Sequence, residues 1–250
     1  VPLLLAAPAA FAADEDTKTA PGFDRPGLLF ATDTTPEGHF IFEQGLPDIV
    51  LNDSNNVDIM AYAFNSQLRY GFTPSWEVQV GMAPLAGIDV ETPAGDISET
   101  GYTDLRVGVK HTLPAAVSEA LGGADVAVLA GITLPTGDDQ FTADDESIDL
   151  GVTALWGIGN GRSAGVLAQL TSGNEDTLLL AGAYNDTINS TTSYYLEAGI
   201  TTGDSDGTVA GGGIAWMPMW NVQLDAYLLA GVSGDAPDVQ AGFGVSVYFD

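Results

Sequence analysis

Few side chains in this sequence are suited to catalysis. The 250 residues include no Cys and only two His, His39 and His111. A Ser–His hydrolase needs its general base within hydrogen-bond reach of the nucleophile, and no Ser lies two positions from either histidine. Without Cys there is no thiolate nucleophile, thiolate metal site or disulfide framework. The sequence therefore predicts a protein that is not an enzyme and that carries no cofactor.

One acidic segment contains the densest group of candidate metal ligands. The residues from Gly137 to Glu146 include five carboxylates, namely Asp138, Asp139, Asp144, Asp145 and Glu146. Carboxylates at this density suit Ca²⁺, which prefers hard oxygen ligands. The spacing lacks the Asp-x-Asp-x-Asp-Gly pattern of an EF-hand. Two interpretations stay open: a weak divalent-cation site that bridges to lipopolysaccharide phosphates, and an ordinary solvated acidic loop.

A second group of charged residues shares one face of the apolar segments. Its members are Glu43, Arg69, Glu77, Asp104, Arg106, Lys110, Asp149, Glu197 and Asp225. Arg69, Arg106 and Lys110 are half of the six basic residues in the chain. Among these carboxylates they predict either of two arrangements. One is a charged ladder that crosses a pore and sets ion selectivity, and the other is a salt-bridge network that fills a narrow lumen.

These charges lie in segments of about ten residues in which apolar side chains occupy every second position. The last segment, Val239 to Phe249, shows the pattern most clearly. A period of two indicates a β-strand, and about ten residues is the length with which a tilted strand crosses a membrane. No segment shows a sustained helical period. The predicted strands are 39–46, 58–72, 76–84, 101–112, 125–135, 147–157, 162–171, 177–185, 191–201, 207–217, 220–232 and 238–249.

The connections between these strands alternate in length and charge. Even-numbered connections are mostly short, such as 73–75 and 158–161, whereas odd-numbered ones hold most of the acidic residues. In an up-and-down barrel, short periplasmic turns and longer extracellular loops lie at opposite ends. The four tryptophans adjoin even-numbered connections, as an aromatic girdle would. The sequence therefore predicts an all-β fold, a transmembrane antiparallel up-and-down β-barrel of about twelve strands. A soluble secreted β-sandwich gives the same alternation and is the alternative.

The amino-terminal residues and the charge predict where the protein acts. Val1 to Ala13 is apolar and ends in Ala-Phe-Ala-Ala, which is typical of a secretory signal peptide. We expect residues 1–13 to be that peptide, 14–38 to be an irregular segment and candidate plug, and 39–250 to be the barrel. The net charge of −28 repels polyanions, so no nucleic acid partner is expected.

Several stretches together resemble one family. They are DRPG (24–27), EGHFIFEQG (37–45), LRYGFTPSWEVQVG (68–81), GYTDLRVGVKHTLP (101–114), AGITLPTGDD (130–139), NVQLDAYLLAGVSGDAPD (221–238) and the closing strand. Over most of the chain, their order and spacing are similar to the outer-membrane transporter family that is linked to the meta-pathway of phenol degradation. The chain departs from the barrels of this class in its acidic loops and in Asp250, which follows the closing aromatic residue.

The resemblance implies a bacterial outer-membrane channel that passes small solutes, including apolar or aromatic ones. The acidic loops predict an outer vestibule that favours cations and neutral molecules. Expected partners are outer-membrane lipid, small solutes and divalent cations. The alternative function is a non-transporting outer-membrane surface protein, structural or ion-binding, whose lumen is closed.

Overall fold

The computed structural model describes residues 18–54, 56–143 and 145–250. The predicted signal peptide, residues 1–13, lies outside these residues. So does Asp144, one of the five candidate metal ligands.

Almost all of the described chain is β-structure. The strands are β1 (Phe40–Ser54), β2 (Val57–Ala63), β3 (Ser66–Thr73), β4 (Trp76–Met82), β5 (Ala86–Glu91), β6 (Ile97–Gly101), β7 (Leu105–Thr112), β8 (Asp125–Leu134), β9 (Ser147–Gly159), β10 (Arg162–Ser172), β11 (Thr177–Asn189), β12 (Thr192–Gly203), β13 (Gly207–Met219), β14 (Val222–Gly234) and β15 (Val239–Phe249). One short helix, α1 (Ala115–Ala120), lies between β7 and β8. Within the described ranges, no helix has both the length and the apolar character needed to span a membrane.

The strands form one closed antiparallel barrel. Each strand from β7 to β15 pairs with the next, and β15 pairs with β1 from Phe40↔Phe249 to Leu51↔Val239. On its other side β1 pairs with β3 near its start and with β2 near its end. The pairs β2–β3, β4–β5 and β6–β7 are therefore each one wall strand in two parts. Counted this way, the barrel has twelve strands, as the sequence predicts.

Four neighbouring wall strands are interrupted at the same height along the barrel axis. In β1 the register shifts between Gly45 and Asp48, and the third wall strand is interrupted at Pro84. Proline lacks the N–H that a strand ladder requires, which explains why these strands break where Pro47 and Pro84 occur. Beyond the breaks, β1, β2, β5 and β6 continue as a four-stranded extension.

The two faces of the wall differ in chemistry, as the alternation predicts. Apolar side chains point outward, and Phe243 on β15 is 61% exposed in the absence of lipid. Many inward neighbours are polar or small, and Ser246 on the same strand is fully buried, although the interior also holds apolar side chains such as Leu155 and Leu167. An apolar outer face and a polar interior are the arrangement of an outer-membrane barrel.

One end of the barrel carries the short turns and the aromatic residues. The turns after β3, β9, β11 and β13 lie there, together with α1 and the closing pair Phe40↔Phe249. Trp76, Trp216 and Trp220 are partly exposed at this end, and the indole N–H of Trp156 donates to the Leu121 carbonyl, 2.9 Å away. By the loop-length rule this is the periplasmic end.

Candidate functional site in the barrel lumen

Residues 18–37, here called the lumen segment, enter the barrel from the periplasmic end and return to it. Lys18 contacts the carboxylate of Asp250 at the carboxyl terminus. At the other end of the segment, the Thr34 hydroxyl lies 3.4 Å from the Pro74 carbonyl in a periplasmic turn. Between these points Phe23 and Leu29 are each only 1% exposed. The segment therefore fills the interior of the barrel on the periplasmic side.

Three glutamates of the wall hold the lumen segment by its main chain. Glu43 on β1 accepts hydrogen bonds from two successive backbone N–H groups, those of Asp24 at 2.9 Å and Arg25 at 2.7 Å. Glu77 on β4 accepts from the Thr35 N–H at 2.5 Å and from its hydroxyl at 2.9 Å. Glu197 on β12 accepts from the Leu28 N–H at 2.7 Å. All three glutamates satisfy N–H groups that no strand pairs. The charge strengthens the bonds of Glu43 and Glu77, which also pair with Arg69.

A buried ion network ties the same segment to β3, β4 and β7. Arg69, fully buried, donates to Glu77 at 2.8 Å and to Glu43 at 2.8 Å. It also donates to two carbonyls of the segment, Gly22 at 2.8 Å and Asp33 at 3.3 Å. Such charges are tolerated in a protein interior only when they are paired and hydrogen-bonded.

Asp24 is the point at which the segment joins this network. Its carboxylate lies 2.9 Å from Lys110 Nζ and 3.4 Å from Arg69 Nη1. Burial raises the pKa of Asp24, but attraction to these two cations outweighs the burial and leaves the pKa below its usual value. Asp33, further along the segment, has its pKa raised by burial.

Arg25 fixes the segment to the opposite side of the lumen. Its guanidinium binds both carboxylate oxygens of Asp48 on β1, at 2.9 and 3.0 Å, and lies 3.4 Å from Asp225 on β14. A side chain on Gly244 of β15 would collide with it, since a Cβ there would be 2.3 Å from Arg25 Nε. Glycine at this position gives the guanidinium the space to reach Asp48.

Apolar side chains at the tip of the segment pack against β9 to β12. A Cβ at Gly165 would be 2.8 Å from Leu29 Cδ2, and a Cβ at Gly199 would be 3.0 Å from Leu28 Cδ1. Leu29 and Phe30 belong to a buried apolar cluster with Leu155 and Leu167 of the wall. The segment is thus anchored at its tip by apolar packing, and toward β1 and β4 by charge together with a second apolar cluster of Ala20 and Phe23 with Ile41 and Tyr248.

Two cavities adjoin the lumen segment on its extracellular side. The vestibule cavity, of about 480 Å³, is lined by Asp24, Arg25, Asn65, Arg106 and neighbouring residues. The tip cavity, of about 270 Å³, is lined by Leu28, Leu179, Val209, Asp206, Asp235 and residues beside them. Both cavities lie on the extracellular side of the part of the lumen that the segment fills.

The structure places most of the predicted lumen residues in the interior. Glu43, Arg69, Glu77, Lys110, Asp149, Glu197 and Asp225 are at most 6% exposed. Arg106 is partly exposed toward the vestibule cavity and pairs with Asp149 at 2.5 Å. Asp104 lies in the break between β6 and β7, where it accepts three backbone hydrogen bonds from Thr136, Gly137 and Ala143.

The predicted acidic loop is organised by hydrogen bonds within the wall. Asp138 accepts a hydrogen bond from the Tyr102 N–H at 3.2 Å. Asp104 binds the backbone of the same loop through the three hydrogen bonds described above. Among residues 18–54, 56–143 and 145–250, no group of three or more His, Asp or Glu side chains is arranged to hold a metal ion. The divalent-cation site therefore stays a prediction.

Sequence reasoning missed three members of the network, which are Asp24, Arg25 and Asp48. The first two lie in the segment that was predicted to be irregular. Asp48 was expected in an acidic outer loop because the first strand was expected to end at 46. The strand instead continues to Ser54 past Pro47, which places Asp48 opposite Arg25. The DRPG motif is the available signal, because its charged pair directly precedes the bend at 26–29.

The closed apolar-faced barrel and its polar lumen define an outer-membrane β-barrel. A family described as "Putative MetA-pathway of phenol degradation" matches residues 23–249, and the chain belongs to this family. No curated protein sequence matches it.

Solved structures share the fold at low sequence identity. An outer-membrane channel from Pseudomonas putida F1 superposes with a TM-score of 0.71 at 14% identity, covering 90% of this chain and 99% of that one. The KdgM porin in complex with oligogalacturonate gives 0.53 at 7% identity, covering 85% and 99%. The translocator domain of the autotransporter NalP from Neisseria meningitidis gives 0.54 at 13% identity, covering 87% and 91%. These likenesses confirm the predicted fold class and, with the family, the outer-membrane location.

Proposed function

We propose that the protein is an outer-membrane channel for small solutes and that the lumen segment closes it at rest. The carrying observation is that the segment is held inside the barrel chiefly by hydrogen bonds and ion pairs. Its fold relatives named above include a channel and a porin, which supports a transport role.

Water can replace the hydrogen bonds and ion pairs that join the segment to the wall. Glu43, Glu77 and Glu197 bind backbone N–H groups, and water can replace each of those donors when the segment moves. The apolar contacts are made at two places. Leu28, Leu29 and Phe30 pack on β9 to β12 at the tip, and Ala20 and Phe23 pack against Ile41, Met217 and Tyr248. Displacement of the segment would leave a lumen lined by paired charges, through which small neutral or cationic solutes pass.

The extracellular rim supports a preference for cations and neutral solutes, apolar or aromatic ones included. Asp58 on β2 faces Asp53 across one strand pair and Glu91 across the other. All six basic residues lie elsewhere in the sequence, at 18, 25, 69, 106, 110 and 162. Uncompensated carboxylates raise the local concentration of cations and repel anions.

A reversible disulfide tests the gate directly, because the natural chain has no Cys. A Cβ on Gly199 would lie 3.0 Å from Leu28 Cδ1, so the side chains of these two positions meet. Leu28→Cys with Gly199→Cys should therefore link the segment tip to β12 once the tip adjusts to the Cβ separation of about 4 Å that a disulfide needs. In a planar bilayer we expect current steps after reduction and silence after oxidation. Leu28→Cys alone is the matched control, because it adds no side chain against the segment, and it should not respond to redox state.

The outcomes of this experiment separate the two functions. Equal currents in the oxidised and reduced double variant would show that the segment is not the gate. A folded barrel that is silent in every state would favour the non-transporting surface protein, which the buried ion network also suits.

The rim preference has its own measurement, the reversal potential under a salt gradient. We expect cation selectivity at low salt that fades above about 0.1 M, where the Debye length is about 10 Å. Asp53→Asn, Asp58→Asn and Glu91→Gln together should reduce it, whereas Glu119→Gln in α1, at the other end, should not. Anion selectivity at low salt would contradict the proposal.

A further inference from the structure

The tip cavity differs chemically from the vestibule cavity. Its base is apolar, formed by Leu28 of the lumen segment with Leu179 and Val209 of the wall. Its mouth carries two carboxylates, Asp206 and Asp235, and its lining contains no Lys or Arg. The vestibule cavity is lined by both Arg25 and Arg106 as well as by carboxylates. Of the two spaces, the tip cavity alone joins an apolar base to an exclusively negative mouth.

We propose that the tip cavity binds small organic ammonium ions that have an apolar body. The hydrocarbon part would contact Leu28, Leu179 and Val209, and the ammonium group would lie between Asp206 and Asp235. This assignment rests on the proposed channel function in that it names the solute class which the lumen would select.

The size of the cavity fits such a ligand. Its volume is about 270 Å³, and an apolar cavity of about 150 Å³ already holds benzene. A six-membered ring with a one- or two-carbon amine therefore fits, whereas larger amphiphiles do not. Burial of the ring supplies affinity that does not depend on charge.

The carboxylates of the mouth supply the selectivity. Asp206 uses Oδ1 to accept the Gly203 N–H at 3.1 Å, which holds the side chain at the mouth. A carboxylate about 6 Å from an ammonium ion in a water-like dielectric improves binding about threefold. Two carboxylates therefore favour an ammonium over a neutral isostere about tenfold and disfavour a carboxylate isostere about tenfold.

Three probes with one skeleton test the proposal: benzylammonium, benzyl alcohol and benzoate. Their binding to the folded barrel in detergent at low salt is measured by ligand-observed NMR. We expect benzylammonium to bind about tenfold more tightly than benzyl alcohol, and benzoate to bind most weakly. Asp206→Asn with Asp235→Asn should abolish the advantage of the ammonium and leave binding of the alcohol unchanged. Asp89→Asn, a rim carboxylate outside this cavity, is the control and should keep the wild-type order.

A second variant tests whether the probes occupy this cavity. Val209→Trp should fill it and abolish binding of all three probes, with Leu179→Phe as the substitute if Val209→Trp does not fold. Equal affinity for ammonium and alcohol in the wild type would overturn the proposal. So would an unchanged ammonium advantage in the double Asn variant, since it would then reflect the net charge of the chain. Binding needs no current, so this result is independent of the disulfide experiment on the channel.

Discussion

Replacement of Arg69 by Met should open the channel. The methionine keeps most of the volume of the side chain but removes every hydrogen bond of the guanidinium. Two of these bonds reach the lumen segment, at the Gly22 and Asp33 carbonyls, and the others reach Glu43 and Glu77 of the wall. The substitution therefore weakens the attachment of the segment and also leaves wall carboxylates without their main cation.

The size of the effect follows from the bonds to the segment. Hydrogen bonds to a charged group contribute about 1.5–3 kcal/mol each, so loss of two weakens the closed state by about 3–6 kcal/mol. Removal of one partner from a buried ion pair costs about 3–5 kcal/mol, a range that overlaps the value obtained from the two hydrogen bonds. A change of about 3 kcal/mol shifts an equilibrium more than about 100-fold, and we expect the open probability to rise by at least that factor.

The assay is single-channel recording, with heat-modifiable gel mobility as the check that the barrel has folded. Arg162→Met is the matched control. Arg162 pairs with Asp186 at 3.1 Å, but its side chain is 51% exposed, and surface ion pairs contribute little. If Arg69→Met folds and stays as closed as Arg162→Met, then the network does not hold the segment and the reasoning fails. Should Arg69→Met not fold, Lys110→Met removes fewer bonds and tests the same point.

Three further perturbations act on the same closed state. Acidification should leave the current low from pH 7 to about 4 and raise it only at lower pH. The pKa of Asp24 is lowered in the closed state, so its charge stabilises closure above the usual value of 3.8, and this stabilisation is lost as the pH falls through the lowered pKa. A rise in current between pH 7 and 5 would refute this. Gly165→Val should push Leu29 from the wall at a cost of about 1–3 kcal/mol and raise the open probability about 5- to 100-fold, while Gly182→Val, whose nearest neighbour is 3.8 Å away, should not. Glu197→Gln should leave the stability of the folded barrel in urea equal or higher. No Lys or Arg of the described chain pairs with Glu197, and a neutral amide costs less free energy to bury than a carboxylate. A marked loss of stability would show that the charge itself binds the segment.

The barrel could be predicted from the sequence because period-two alternation is a local property of each strand. The periplasmic parts of the divided wall strands, such as β4 and β7, fall within the predicted strands 76–84 and 101–112. Of the extension beyond the breaks, β2 lies within the predicted strand 58–72. The rest could not be predicted, because Pro84 marks the end of a strand in sequence whether or not the chain resumes the same wall. The sequence accordingly predicts a loop over 85–100, whereas the structure has β5 and all of β6 except its last residue there.

The inward position of Arg69 and Glu77 was predictable from the same alternation, but their partners were not. Arg25 meets Asp225 across 200 positions of sequence, and Leu28 meets Glu197 across 169. No local pattern encodes contacts at such separations. The segment also shows no hydrophobic period. Wall side chains, mainly glutamates, bind its backbone N–H groups in place of a strand partner.

The distribution of the basic residues explains how a chain with 34 acidic and six basic residues can fill its own lumen. A carboxylate at the rim is solvated by water and needs no cation, whereas a buried one needs a cation or hydrogen-bond donors. Arg25, Arg69, Arg106 and Lys110 all lie in the lumen, each paired with carboxylates. Burial therefore determines where the few basic residues lie. It follows that a basic residue added at the rim should alter ion selectivity without affecting closure, whereas removal of a lumen cation should affect closure first.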